Sequence, residues 1–115
     1  MAVPATPRDT NFNVIYDLPP AKVALDETYD ASISASTEIT LNVATTLIEV
    51  TAIDKAIFMK WGTADASSTD WDHVIPQNTT RRFAVPVETA ATATLYTAVN
   101  FIEEAASAHL AVSEF

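Results

Sequence analysis

The stretch IFMKWGTADASSTDWDHVIPQNTTRRFAVPV, residues Ile57–Val87, decides the fold. At its start, Ile57, Met59 and Trp61 fall on one face, with Phe58 and Lys60 on the other. Near its end, Phe83, Val85 and Val87 alternate with Arg82, Ala84 and Pro86. A period of two is the mark of a half-buried strand. Gly62, the only glycine in the chain, closes the first strand. A lone glycine at a strand end predicts a backbone conformation that a Cβ would forbid. Between the strands, Thr63–His73 is rich in Ser, Thr, Ala and Asp and carries Trp71 near its far end. The expectation is two apolar strands, the second entered through Pro76, joined by a long exposed loop.

Upstream, Leu47–Ile53 places Ile48, Val50 and Ala52 on one face against Glu49 and Thr51. Asp54-Lys55 then reads as a tight turn into the Ile57 strand, although without the glycine of the commonest two-residue hairpins. Ile39, Leu41 and Val43 alternate with Thr40 and Asn42, which predicts another half-buried strand. Tyr29–Ser36 alternates weakly, and Lys22–Thr28 reads as a short strand with Val23 and Leu25 inward. Downstream, Thr92–Val99 is rich in Thr, Tyr and Val, as strands are. Asn100–Ser107 suits a helical turn or a loop equally. His109–Phe115 closes with Leu110 and Val112 inward and His109, Ala111 and Ser113 outward. Seven to nine short strands at regular spacing, without a long helix, predict an antiparallel β-sandwich or barrel.

Met1–Pro20 differs from the rest. It holds Pro4, Pro7, Pro19 and Pro20, which exclude a continuous helix or central strand. Phe12, Val14 and Tyr16 alternate with Asn11, Asn13 and Ile15, as in an edge strand of the same domain or an arm laid on a neighbour. Residues 1–20 are therefore read as an extended arm and residues 21–115 as one sandwich domain. A chain of 115 residues has the length of a single domain with one core.

Composition excludes several functions. Fifteen acidic residues against six basic ones give a formal net charge of −9, which repels phosphate backbones. No apolar run approaches the roughly 20 residues that span a bilayer. MAVPATPRDT lacks the basic start and apolar run of a secretory leader, so a cytosolic protein, or part of something assembled there, is expected. One glycine cannot build a phosphate-binding loop, and without cysteine there is neither a disulfide nor a thiolate site.

No residue cluster names a reaction. His73 and His109 fall far short of a zinc ligand set. Asp65, Asp70 and Asp72 lie close together but lack a calcium-loop spacing. No nucleophile elbow is present. Of the two tryptophans, Trp61 reads as core, and Trp71 as a surface contact for protein or sugar, since exposed tryptophan is enriched at binding hot spots. Arg81-Arg82, the one adjacent basic pair, is expected to pair with acids.

The strand IFMKWG (Ile57–Gly62), the loop to Asp72, the segment HVIPQNTTRRFAVP (His73–Pro86), and the strands TATLYTAV (Thr92–Val99) and HLAVSEF (His109–Phe115) together resemble small β-sandwich structural proteins of tailed-bacteriophage virions, especially capsid decoration or cement proteins. The resemblance spans about residues 38–115. It implies a jelly-roll or Ig-like antiparallel sandwich without enzymatic activity, cofactor or metal. It also implies a place on the capsid exterior, assembled in the host cytoplasm, with the major capsid protein as partner and a homo-oligomer, a trimer above all. Phe12, Val14 and Tyr16 would then be arm contacts and Trp71 a loop contact. The alternatives are a tail or head–tail connector subunit, or a carbohydrate-binding or adhesin module. A glycine content this low departs from the pattern.

Overall fold

A computed structural model describes residues 24–30 and 33–115. Within them lie ten strands: β1 (Asp26–Asp30), β2 (Thr37–Thr40), β3 (Leu47–Ile53), β4 (Ile57–Trp61), β5 (His73–Ile75), β6 (Thr79–Ala84), β7 (Val87–Thr89), β8 (Thr94–Leu95), β9 (Ala98–Glu103) and β10 (His109–Glu114). One four-stranded sheet runs β1-β10-β3-β6 and the other β2-β9-β4-β5, while β7 and β8 pair as a small separate hairpin. We call the first two sheet one and sheet two.

The pairing is nested. β1 pairs with β10, β2 with β9, β3 with β6 and β4 with β5, all antiparallel. The chain is thus one long hairpin with its tip at β4–β5, rolled so that its strands fall into two sheets. That is a jelly roll. An Ig-like order would pair the first strand with the second; here the first pairs with the last.

Alternation builds the core. Ile48, Val50 and Ala52 of β3, Ile57 and Met59 of β4, and Leu110 and Val112 of β10 are all buried, as their period predicts. Val99 and Phe101 from β9 and Ile75 from β5 join them in one hydrophobic cluster. The expected turn at Asp54-Lys55 exists but joins different sheets, and Asp54 itself takes a positive φ of 73°. With one glycine in the chain, Asn78, Ala93 and Ser107 also bend the backbone at positive φ.

Several expectations need correction. The loop expected over Thr63–His73 ends at His73, where β5 begins before the strand entered through Pro76. β5 pairs with β4, and Pro76 leads across to β6 of sheet one. Leu25 is 46% exposed rather than inward, and β1 begins only at Asp26. Val43 sits on a turn, fully exposed, because the chain leaves sheet two after Leu41. Val87 likewise leaves the β6 alternation: past Pro86 it pairs with Leu95 in the small hairpin and stays exposed. Thr92–Val99 is broken at Tyr96-Thr97, where Tyr96 N–H donates to Pro86 O and Thr97 O accepts from Leu41 N–H. Asn100–Ser107 is a strand as far as Glu103 and then a turn.

The next inward slot after Leu110 and Val112 is Glu114, which is only 1% exposed. Its Oε1 accepts from Asn42 N–H at 2.7 Å and from the Thr45 hydroxyl at 2.9 Å. Its Oε2 is buried without a hydrogen-bond partner. The carboxylate therefore ties the 41–46 loop to the end of β10. Glu114→Ala leaves two donors unmatched and is expected to cost about 1–3 kcal/mol. Glu114→Gln retains an acceptor oxygen and should recover most of that loss. Urea denaturation of both variants measures the difference, and equal midpoints would refute the tie.

Candidate functional site

The outer face of sheet two carries the most distinctive surface. Alternation in β4 that buries Ile57, Met59 and Trp61 turns Phe58 and Lys60 outward. Phe58 stands directly opposite Val74 of β5 and Ile102 of β9. Ile102, Phe58 and Val74 thus form an apolar row across three adjacent strands, on the side away from the core.

The Gly62–Asp72 loop delivers Trp71 to this row. Gly62, at φ 98°, receives Asn100 Nδ2–H on its carbonyl and donates its N–H to Ala98 O. Asn100 is itself buried, and its Oδ1 accepts from the Ser36 hydroxyl. Ser36 Oγ accepts in turn from Ala66 N–H. The loop is therefore folded back over the outside of β9 and β2. A tight turn from Ser67 to Asp70 follows, and Asp70 pairs with Lys60. Asp72 then binds β4 twice: its N–H donates to Met59 O, and its Oδ2 accepts from Trp61 N–H. Between these two anchored aspartates, Trp71 stacks on Phe58 with centroids 5.8 Å apart and planes 28° from parallel. It remains 44% exposed. The result is a propped aromatic surface rather than a cleft.

Gly62→Ala tests this anchoring. The new Cβ would meet Tyr96 Cε1 at 3.4 Å, in a backbone region L residues avoid. The expected cost is about 1–2 kcal/mol, read as a lower thermal midpoint.

The other candidate residues have separate duties. His73 faces the opposite way and packs on Phe83, with ring centroids 4.7 Å apart and planes tilted by 37°. Arg81 lies over the same ring and donates to Val74 O, closing the edge between β5 and β6. Among the described residues Arg81 thus meets a carbonyl and a ring, while Arg82 stands opposite Glu49 in the ladder. Trp61 is core, stacked on Tyr96 and edge-on to Phe83. His109 lies on sheet one, with Nε2 3.5 Å from Asp54 and its ring against Tyr29. His73 and His109 therefore do not share a site. Among the described residues, no three His, Asp or Glu side chains are grouped to hold a metal ion. Phe12, Val14 and Tyr16 lie outside the described residues.

Phe58, Val74 and Ile102 escaped the sequence reading as a group. Each is an ordinary outward residue of its own strand, and only the register sets them side by side. The chain matches no protein family, no curated protein and no solved structure.

Proposed function

We propose that the chain is a non-enzymatic structural protein of a tailed-phage virion. It binds the outer surface of the assembled capsid through sheet two and stabilises the shell. The observation that carries this reading is Trp71, propped on Phe58 at the middle of the Ile102–Phe58–Val74 row. A rigid exposed aromatic on an open sheet face suits contact with another protein surface. The jelly roll supports the reading, since capsid domains use it, although a fold alone does not set a function. A ligand that binds only the assembled shell stabilises that state by mass action.

Co-sedimentation with shells of the phage that encodes the chain tests the proposal. Saturable binding to assembled shells, with none to free capsid subunits, is expected; no binding to shells would sink it. Light scattering is expected to give a trimer of the 12.4 kDa chain, and a larger ring would move the reading to a head–tail connector.

A second reading, a carbohydrate-binding module, is favoured by the same exposed ring. Lectin domains also use jelly rolls, and the Lys60–Asp70 pair supplies polar groups close by. Hits on a glycan array, combined with failure on shells, would select it.

A further inference from the structure

We propose that the chain self-associates through one end of its sandwich, with Val43 of one copy seated in a hollow of the next. The 41–46 loop and the β7–β8 hairpin meet at this end, where Leu41 N–H donates to Thr97 O. Between them lies a hollow of about 190 Å³, walled by Asn42, Thr45, Leu95, Tyr96 and Thr97, with Val43 at its rim. Leu95 and Tyr96 pack against the core, so the wall rests on fixed structure. Small-molecule sites begin at roughly 300 Å³, and this hollow has room for about one aliphatic side chain.

The knob stands beside the hollow. Val43 is 100% exposed, so its own copy covers none of it. The turn that carries it is nevertheless well fixed. Thr45 N–H donates to Asn42 O, and Ala44 N–H donates to Asn42 Oδ1. From beneath, the buried Glu114 carboxylate accepts from Asn42 N–H and from the Thr45 hydroxyl. An aliphatic side chain held out in water on a braced turn is a contact surface waiting for a partner. Val87, opposite Leu95 in the hairpin and 48% exposed, extends the apolar surface.

Charge points to a second copy as that partner. The two longest stretches without Asp, Glu, Lys or Arg are residues 39–48 and 89–102, and both supply this end. Glu88 is the one charged residue of the hairpin. A chain of net charge −9 repels its own copies over most of its surface. Interface cores are depleted of charge, and here two copies meet with little repulsion. A basic partner would gain nothing from an end that lacks acids. Each copy offers the same knob and the same hollow, so the contact closes a two-fold pair or a small ring. It uses neither Trp71 nor the Ile102–Phe58–Val74 row and does not depend on what sheet two binds.

Sedimentation equilibrium of the full chain, Val43→Asp and Gln77→Glu, each across a concentration series into the millimolar range, tests the contact. Gln77 adds the same charge at the far end of β3, where its neighbour Asn78 accepts from Asp54 N–H. The parent chain is expected to form a dimer or trimer. Val43→Asp should weaken self-association by about 100-fold or more, since it would bury a carboxylate in the hollow. Gln77→Glu should leave it unchanged. A parent chain that stays monomeric, or equal behaviour of the two variants, would overturn the proposal. Cysteine variants give a second readout that does not rely on the aspartate. The chain contains no cysteine, so Val43→Cys copies mixed with Thr94→Cys copies can form the mixed disulfide only between copies. Under mild oxidation that disulfide is expected to form at least about tenfold faster than the one between Val43→Cys and Gln77→Cys copies. Equal rates would also refute the seat. Failure to bind shells would leave both results standing, and a monomer would leave shell binding standing.

Discussion

Trp61→Ala is expected to lower the stability of the fold by about 3–5 kcal/mol, the range for truncating a buried tryptophan. Trp61 is 8% exposed and ends β4 against the core. Its ring stacks on Tyr96 at 6.0 Å and meets Phe83 edge-on at 6.4 Å. These partners come from different parts of the roll: Tyr96 from the segment between β8 and β9, Phe83 from β6 of sheet one. Removing the indole opens a void at their junction. Tyr96 then loses its support. A domain of this size has only about 5–15 kcal/mol to lose, so the variant should unfold at markedly lower urea with an unchanged slope. A loss below about 1 kcal/mol would mean that Tyr96 and Phe83 collapse into the space, and that this aromatic junction is not what holds the two sheets at that edge.

Trp71→Ala is expected to do the reverse. Its ring is 44% exposed and, among the described aromatic rings, rests on Phe58, so stability should fall by about 1 kcal/mol or less. Binding is another matter. A tryptophan at the centre of a protein contact typically contributes 2 kcal/mol or more, about a 30-fold weaker Kd when it is truncated. Shell occupancy measured across a concentration series should shift by that factor while the circular dichroism melt barely moves. Unchanged occupancy would remove Trp71 from the contact. Two tryptophans ten residues apart in one sequence are thus expected to separate, one into stability and one into binding.

The sequence told the buried tryptophan from the exposed one because their settings differ locally. Trp61 continues the alternation of Ile57 and Met59, whereas Trp71 stands among Ser, Thr and Asp. Glu114 was also legible in principle, since Leu110 and Val112 place it in the next inward slot. What hid it was its charge, which ordinarily argues for solvent. Val43 misled in the other direction: it prolongs the alternation of Ile39 and Leu41 but falls on a turn. Alternation reports which face a residue would take if the strand continued, not where the strand stops. The Phe58–Val74–Ile102 row could not be found from the chain alone, because no one segment contains it.

By itself, then, the sequence determined the all-β class, the strands with two-residue period, and most of the inward-facing core. All of these follow from side chains alternating along a single segment. The tertiary structure alone decided that β4 pairs with β5 and β9 rather than with β6, that the sandwich is a jelly roll rather than Ig-like, and that Trp71 comes to rest on Phe58. The physical reason is that backbone hydrogen bonds carry no sequence label. Any strand edge can pair with any other, and partner and register are chosen only when the apolar faces of all the strands close over one core.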